Sequence, residues 1–379
     1  MSQLTWKDFI EKPVTEPHVY IEKIIRNTIK KNFNKPKLRV AVALSGGIDS
    51  TLILSLLRNT CPNLHIDAIS VKFADSVDES IQAAKIAERF EADHHIIYIE
   101  NYLKELPTAI SIIKLPFWDL HWYYVVKNTK SLSKILVSGD GGDELFGGYT
   151  FRYKKFLSLI KPDFSPVEKV MAYLKCHERD WVPDQEDLFG KKINFSWNEI
   201  YNKLKPYFDN PLPPLVQVFL ADFNGKLLYN WIPLNTKIHK YFEVRSISPI
   251  LSKELISYAT HLPYKLKYDS KRDLGKILLR KILQKYLTNN MIFKTKQGFS
   301  VNTANLLNSH GRELCDYYLS DARIIKEGWI TQDWVKKHLK KLTKNPDVRY
   351  VNKFLGLLAL EVWFRLFITK EMKSTETLD

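Results

Sequence analysis

Two short glycine-rich segments, each directly after a run of apolar residues, limit what this chain can fold into. The first, Ser45-Gly46-Gly47-Ile48-Asp49-Ser50, follows the apolar run 40–44. The second, Ser138-Gly139-Asp140-Gly141-Gly142-Asp143-Glu144, follows the run 135–137. An apolar run that gives way to glycines and then to a helical pattern marks a buried strand turning into a helix N-terminus. Small residues at such a turn let backbone N–H groups close around phosphate oxygens. Asp49 and Asp143 are then placed to share a divalent cation that holds those phosphates. Two such loops, each with an acidic residue, point to an enzyme that cleaves a nucleotide.

The surroundings of the loops alternate regularly. Strands are expected over 38–44, 66–71, 94–99 and 134–138, and helices over 19–33, 50–58, 78–90, 103–113 and 120–130. Short apolar strands separated by helices define an α/β fold whose parallel sheet is covered by helices on both faces. Ligands of such sheets bind beyond the carboxyl ends of the strands, where both glycine loops fall. After Gly148 the strand patterns thin out. Helices are expected over 167–176, 197–204, 215–228, 253–261, 276–286, 333–342 and 353–367, punctuated by prolines such as Pro183, Pro233 and Pro249. The expected division is a lead-in and helix over 1–37, a nucleotide core over 38–148, and a mostly helical substrate region over 149–379 packed on that core. Residues 1–17 read as a loosely packed lead-in, and 370–379 as a polar, frayed tail.

Composition narrows the partners. The chain has 379 residues, 45% of them hydrophobic, enough for a sizeable core. Its formal net charge of +15 fits a nucleic acid, an anionic substrate or solubility alone. The basic runs 336–344 and 265–280 are not interleaved with aromatic residues as a single-strand stacking surface would be, so nucleic acid is not the favoured partner. Three widely separated cysteines, Cys61, Cys176 and Cys315, form neither a disulfide framework nor a zinc cluster and fit reduced thiols in the cytoplasm. The start of the chain lacks a signal-peptide h-region, and no stretch approaches the length of a membrane span. His94-His95 reads as a strand start, and Trp118, Trp122, Trp197, Trp231 and Trp363 read as packing residues.

Neither loop ends in the Lys-Ser/Thr of a P-loop, and neither has the spacing of a dinucleotide fingerprint. The first resembles the pyrophosphatase loop of the N-type ATP pyrophosphatases, which cut ATP between its α- and β-phosphates. The second, SGDGGDELFGGY over 138–149, is similar to the signature of the asparagine synthetase family's synthetase domain. Further matches run through the chain: Ser70-Val71-Lys72-Phe73 with Asp78-Glu79, Pro116-Phe117-Trp118-Asp119, Gly275-Lys276-Ile277-Leu278-Leu279-Arg280, and Lys294-Thr295-Lys296-Gln297-Gly298-Phe299. The resemblance implies an adenine nucleotide alpha-hydrolase-like fold and an AMP-forming carbon–nitrogen ligase that uses ATP and magnesium. It implies that Leu44, Ser45, Gly46, Gly47, Asp49 and Ser50 hold the nucleotide and its departing pyrophosphate, and that Val71 meets the adenine. Ser138 and Gly139 then lie near the adenylate, Asp49 and Asp143 hold magnesium, and Arg280 and Lys276 are candidates for phosphate contact. Lys296 faces the α-phosphate and acts in catalysis with Asp143. Asp140, standing where the family commonly has Glu, orients the amine.

Two departures qualify the resemblance. Glutamine-using members carry an N-terminal glutaminase domain with a cysteine after the initiator methionine; here residue 2 is Ser2, and residues 1–37 alone precede the first expected strand. The amine is therefore expected to be free ammonia, ammonia from a separate glutaminase subunit, or another amine. In the stretch that lines the acyl substrate, Thr236, Arg245 and Ser252 stand where acidic residues are usual. This predicts a more cationic pocket and a carboxylate substrate other than free L-aspartate. Three readings remain open: an ammonia-using amide ligase, a ligase of the same family that closes a lactam or peptide ring, and a nucleic-acid-modifying ATP pyrophosphatase.

Overall fold

The structure, a computed structural model, describes residues 2–33, 38–73, 80–288, 302–343 and 347–379. Five strands form one parallel sheet: β1 (Arg39–Ala43), β2 (His65–Phe73), β3 (Asp93–Ile99), β4 (Ile135–Val137) and β5 (Arg245–Ile247), in the order β3-β2-β1-β4-β5. Register pairs Val40 with Ile66, Val42 with Val137, and Val137 with Ile247. Alternate residues feed two apolar cores. Val40, Val42, Ile66, Ala68 and Val137 face one, while Ala41, Ala43, Ile69, Val71, Phe73 and Leu136 face the other. Burial on both faces explains why these strands read as continuous apolar runs instead of alternating patterns.

Helices cover both faces. On the first lie α1 (Pro17–Asn32), α2 (Ile48–Thr60) and α3 (Ser80–Arg89). On the second lie α4 (Leu106–Ile113), α5 (His121–Leu132) and the C-terminal helix Val348–Phe367. The chain leaves β1 toward β2 on one side, and β4 pairs on β1's other side. The crevice at the carboxyl ends of β1 and β4 is thus the switch point of the sheet, where open α/β sheets bind ligands.

Several expectations are corrected. The sheet has a fifth strand, β5, drawn from the segment 149–379. It is three residues long and only Ile247 in it is buried, too little for a period to register. The helix expected over 215–228 starts at Pro214 and does not stop. Pro214–Asp222 runs into a π-helix, Phe223–Trp231, which runs into Ile232–Phe242. Pro233 has no N–H to give to an upstream carbonyl, and its ring crowds the preceding turn; a wider turn before it accommodates both. The lead-in is docked: Leu4 exchanges two backbone hydrogen bonds with the Asn224 side chain, and Phe9 is buried.

The tail is docked as well. Leu378 is buried against the second core, its N–H donates to the Lys104 carbonyl, and its own carbonyl accepts from Asn101. Asp379 pairs with Lys104 at 2.8 Å. A buried leucine anchors this segment where its polar composition indicated fraying. We expect Leu378→Ala to cost about 2–5 kcal/mol, the range for deleting a buried leucine side chain. Urea unfolding of the variant checks this, and an unchanged midpoint would show that the tail adds no stability.

Candidate active site

At the switch point a cavity of about 470 Å³ opens between the two glycine loops and the helices after them. The first loop is closed on itself. The Ser45 and Ser50 hydroxyls lie 3.2 Å apart, Gly47 N–H donates to Ser45 Oγ at 3.3 Å, and Ser50 Oγ donates to the Gly47 carbonyl. Gly47 caps α2 without a side-chain cap hydrogen bond, and the N-terminus of the helix borders the cavity through Ile48, Asp49 and Ser50. An anion there is favoured by backbone N–H donors and by the helix dipole.

The second loop leads into α6 (Gly142–Phe146), with Asp143 in its first turn. A Cβ on Gly142 would stand 2.3 Å from Asp49 Cγ, so only glycine lets the two loops close together. Gly148 does the same behind Asp143: a Cβ there would meet Asp143 Oδ1 at 1.7 Å and Lys276 Cε at 2.5 Å. Lys276 arrives from the segment before helix Ile277–Leu283 with a left-handed backbone, φ +57°. Its ammonium lies 2.5 Å from Asp49 Oδ2 and 2.7 Å from Asp143 Oδ1. The charges of Asp143 and Asp49 overcome the effect of burial and hold this lysine firmly protonated. Two carboxylates converging on one cation form a hard oxygen donor set of the kind magnesium takes.

Asp140 sits between the loops and the helical half. Ser138 Oγ donates to its Oδ2 at 2.8 Å, and Ser248 and Asn235 approach the same oxygen at 3.4 Å. Burial raises its pKa, against the hydrogen bonds from Ser138, Trp231 and Ser248 and the charge of His121. Next to it Asp119 accepts from Tyr102 Oη at 2.6 Å and lies 2.8 Å from His121 Nδ1. Desolvation would raise Asp119, but the charge and hydrogen bond of His121 prevail and hold it at about 2. Asp119 and Asp140 in turn raise His121 against its own burial. The His121 ring stacks on Trp231 at 5.6 Å and 13°, and Trp122 donates to Asn235.

The cavity thus brings together Ser45, Gly47, Asp49, Ser50, Ser138, Gly139, Asp140 and Asp143. Four expected residues are not among those that line it. Leu44 is fully buried with its N–H on the Ile69 carbonyl, and Gly46 turns the loop at φ +74°. Val71 is buried in β2, and Arg280 donates to the Gly275 carbonyl. Lys296 and Asp78-Glu79 lie outside the described residues. Thr236, Arg245 and Ser252 do not form a substrate wall. Thr236 bonds back to the Ile232 carbonyl, Arg245 is exposed against Asn32, and Ser252 caps helix Lys253–Thr260. Among the described residues the cavity carries Asp49, Asp119, Asp140, Asp143 and Glu144 against His121, Lys226 and Lys276.

Some lining residues went unassigned in sequence. Asp119 and Tyr149 lay within matched segments, whereas Lys226, Asn230 and Trp231 carry no motif and reach the cavity through the π-helix. Trp122 and Trp231, read as packing residues, also face it.

The family model for asparagine synthase matches residues 21–365, and the chain belongs to that family. It is 26% identical over 384 aligned positions to asparagine synthetase (glutamine-hydrolyzing) 1 of Bacillus subtilis (strain 168), covering 89% of this chain and 58% of that protein. It is 27% identical over 147 positions to asparagine synthetase (glutamine-hydrolyzing) of Rattus norvegicus, covering 35% and 25%. The chain spans about half the length of the curated relatives that it matches most fully. Among solved structures it is similar to NMN synthetase from Francisella tularensis, at 13% identity and a TM-score of 0.28, over 76% of this chain and 100% of that one. No helix among the described residues is long and apolar enough to cross a membrane.

Glu144 supplies a pH test of this site. Burial first, and then the charge of Asp143, raise it from 4.5 to about 7, against the Tyr149 hydrogen bond and the charge of Lys226. A carboxyl raised on folding takes up a proton, so its stabilisation is full below pH 4.5 and is lost as pH rises through 7. At 1.36 kcal/mol per unit the cost at high pH is roughly 3 kcal/mol. Glu144→Gln keeps an acceptor for Tyr149 and removes the titration. It should be more stable than the wild type by roughly that amount at pH 8 and equal to it near pH 4.5. Urea unfolding at the two pH values reads the difference; a gap independent of pH would refute the assignment.

Proposed function

We propose that this chain forms an amide bond at the expense of ATP, through an acyl-adenylate, with release of AMP and pyrophosphate. The observation that carries this reading is the convergence of Asp49 and Asp143, one from each glycine loop, on a single cation beside the N-terminus of α2. Family membership over residues 21–365 supports it. An oxygen of the substrate carboxylate attacks the α-phosphorus, and the bond to the bridging oxygen of pyrophosphate breaks. An amine then attacks the acyl carbon, AMP leaves, and the amine gives up a proton. Ammonia is the simplest nucleophile. The His121, Trp122 and Trp231 wall favours a larger organic amine as the second reading, as in the ring-closing ligases of the family.

The first step gathers negative charge, so positioning and electrostatics carry most of the catalysis. Ser45, Ser50 and the first N–H groups of α2 hold the departing pyrophosphate. Lys276 follows the charge as it moves onto that group. Asp49 and Asp143 would hold a magnesium ion, which when bound neutralises phosphate oxygens. Leu44, Gly46 and Val71 shape the nucleotide side of the crevice, and Arg280 stands behind Asp49 as a further source of positive potential. Ser138 and Gly139 border the adenylate. Asp140, raised by burial, orients the amine and accepts its proton. Lys296 is assigned to the α-phosphate.

The test is a product assay with ATP, magnesium and a panel of carboxylates, with and without ammonia. AMP and pyrophosphate should form in equal amounts; ADP and phosphate would sink the proposal. Asp49→Asn should lower kcat by at least roughly 10²-fold, on the scale of losing one electrostatic group in a closed site. Lys296→Ala should lower kcat similarly while moving nucleotide affinity much less. An equal loss in both would reassign Lys296 to ground-state binding.

A further inference from the structure

At the amino ends of β2 and β3, the far end of the sheet from the glycine loops, four side chains with metal-ligand chemistry crowd one face. His65 and Asp67 open β2, and Asp93 and His95 open β3. A strand turns alternate residues to the same face, and parallel pairing sets Asp67 beside Asp93 and Ile69 beside His95. All four therefore share the face that continues into Ile69 and Val71 of the second core. His94, next to His95 in sequence, faces the other way, with its Nε2 2.9 Å from Ser70 Oγ.

The donor atoms are close together. His65 Nε2 lies 3.2 Å from Asp93 Oδ2 and 3.7 Å from Asp67 Oδ1. One donor atom from each of these three residues lies within 4.8 Å of the others. His95 Nε2 stands 2.8 Å from the same Asp67 oxygen. Ligands bonded at about 2.0–2.2 Å to a tetrahedral zinc ion are about 3.4 Å apart. The 3.2 and 3.7 Å separations bracket that spacing. Asp67 is fully buried and the other three reach solvent, so a metal has a fixed anchor on one side and an entry path on the other.

Arg39 also holds Asp67. Its Nε lies 2.6 Å from Oδ2 and its Nη2 2.8 Å from Oδ1. Burial would raise the Asp67 pKa, but the hydrogen bonds of Arg39 and His95 hold it below the ordinary value, so a carboxylate is present. Arg39 balances one of the two carboxylates. Among the described residues Asp93 has only His65 as an ionic partner. With neutral imidazoles the cluster keeps one net negative charge, which attracts a divalent cation. Arg39 Nε can stay on Oδ2, as the outer partner that ligating carboxylates usually have, while Oδ1 turns to the metal.

We propose that His65, Asp67, Asp93 and His95 form a zinc(II) site that fastens β3 to β2. The first three supply the converging donors, and His95 supplies the fourth from a partly exposed side chain that can turn. Imidazole donors favour zinc over magnesium, which prefers an octahedral shell of oxygens. The strand it fastens is the last on its side of the sheet and pairs with β2 alone. A bond across the first residues of the ladder closes the end from which such an edge frays. The site shares no residue with the glycine loops and does not depend on the ligase reading.

The experiment strips the full chain with EDTA and titrates it with zinc(II) by calorimetry. Cobalt(II) is added in parallel, because its visible absorption is intense in a four-coordinate site and weak in a six-coordinate one. Wild type is compared with His65→Asn, Asp93→Asn, His95→Gln and Cys61→Ser. Each of these side chains reaches solvent, and circular dichroism checks the fold. One zinc should bind per chain with a Kd below about 1 µM, weaker than the dedicated structural sites because no thiolate contributes. His65→Asn and Asp93→Asn should each weaken it by at least roughly 10- to 100-fold, the loss already seen for outer-shell partners. His95→Gln should weaken it as well, and Cys61→Ser should bind as the wild type does. Cobalt should give the intense spectrum in the wild type and lose it in His65→Asn. Zinc should raise the unfolding temperature of the wild type and leave that of His65→Asn unmoved.

The proposal is overturned if no site with a Kd below about 1 µM is found. It is overturned equally if His65→Asn and Asp93→Asn bind zinc as the wild type does, which would mean an adventitious ion only. Loss of binding in Cys61→Ser would assign the metal to a thiol elsewhere. A weak, six-coordinate cobalt spectrum, or displacement of zinc by excess magnesium, would refute the assignment to zinc.

Discussion

The ion triad of Lys276 with Asp49 and Asp143 is the interaction on which the rest of the site depends. Each member comes from a different part of the chain: the first turn of α2, the first turn of α6, and the residue before helix Ile277–Leu283. None of the three is well hydrated, with side-chain exposures of 11% for the lysine and 17% and 23% for the aspartates. Two carboxylates this close and this sheltered would repel each other strongly without a cation between them. The lysine meets that need and so holds the two loops close together. The arrangement is preorganised: its dipoles and charges are held in position by the fold itself.

Glycine makes this approach sterically feasible. Lys276 itself adopts a left-handed backbone that costs a non-glycine residue free energy. Gly148 leaves room for its side chain to reach Asp143, and Gly142 leaves room for Asp49. The loop sequences are thus read as much through what they omit as through what they carry. A methyl group at either position would push the triad apart before any question of catalysis arose.

The legible part of the sequence was the part whose local pattern and tertiary role agree. β1, β2 and β4 are buried on both faces, so their apolar runs stand out, and the loops after them are marked by glycine and aspartate together. What stayed hidden depended on neighbours far away in the chain. β5 has three residues and gains its identity only from pairing with β4. Thr236, Arg245 and Ser252 were placed at the substrate by counting along the chain from Pro249. Arg245 instead lies on β5 and Ser252 caps the helix after it, while Lys226, Asn230 and Trp231 of the π-helix line the cavity. No spacing rule for α-helices would have found them. The tail was misjudged for a related reason: composition described its polar majority, whereas Leu378 alone decides where it docks.

The charge of the chain and the charge of its site have opposite signs. The protein as a whole carries +15, yet among the described residues the cavity holds five acidic side chains against two lysines and one histidine. The two facts act at different ranges. A basic exterior draws anions inward over roughly a Debye length of about 10 Å. An acidic interior then discriminates among them at contact distance, because an anion that brings no cation of its own meets repulsion there. Such a site favours an anion carrying a divalent cation over the bare anion. It also places a premium on the few positive groups inside, since each one fixes where a negative group of a substrate can rest. Lys276 is such a group, and the two carboxylates that hold it, one from each glycine loop, fix its place in the cavity.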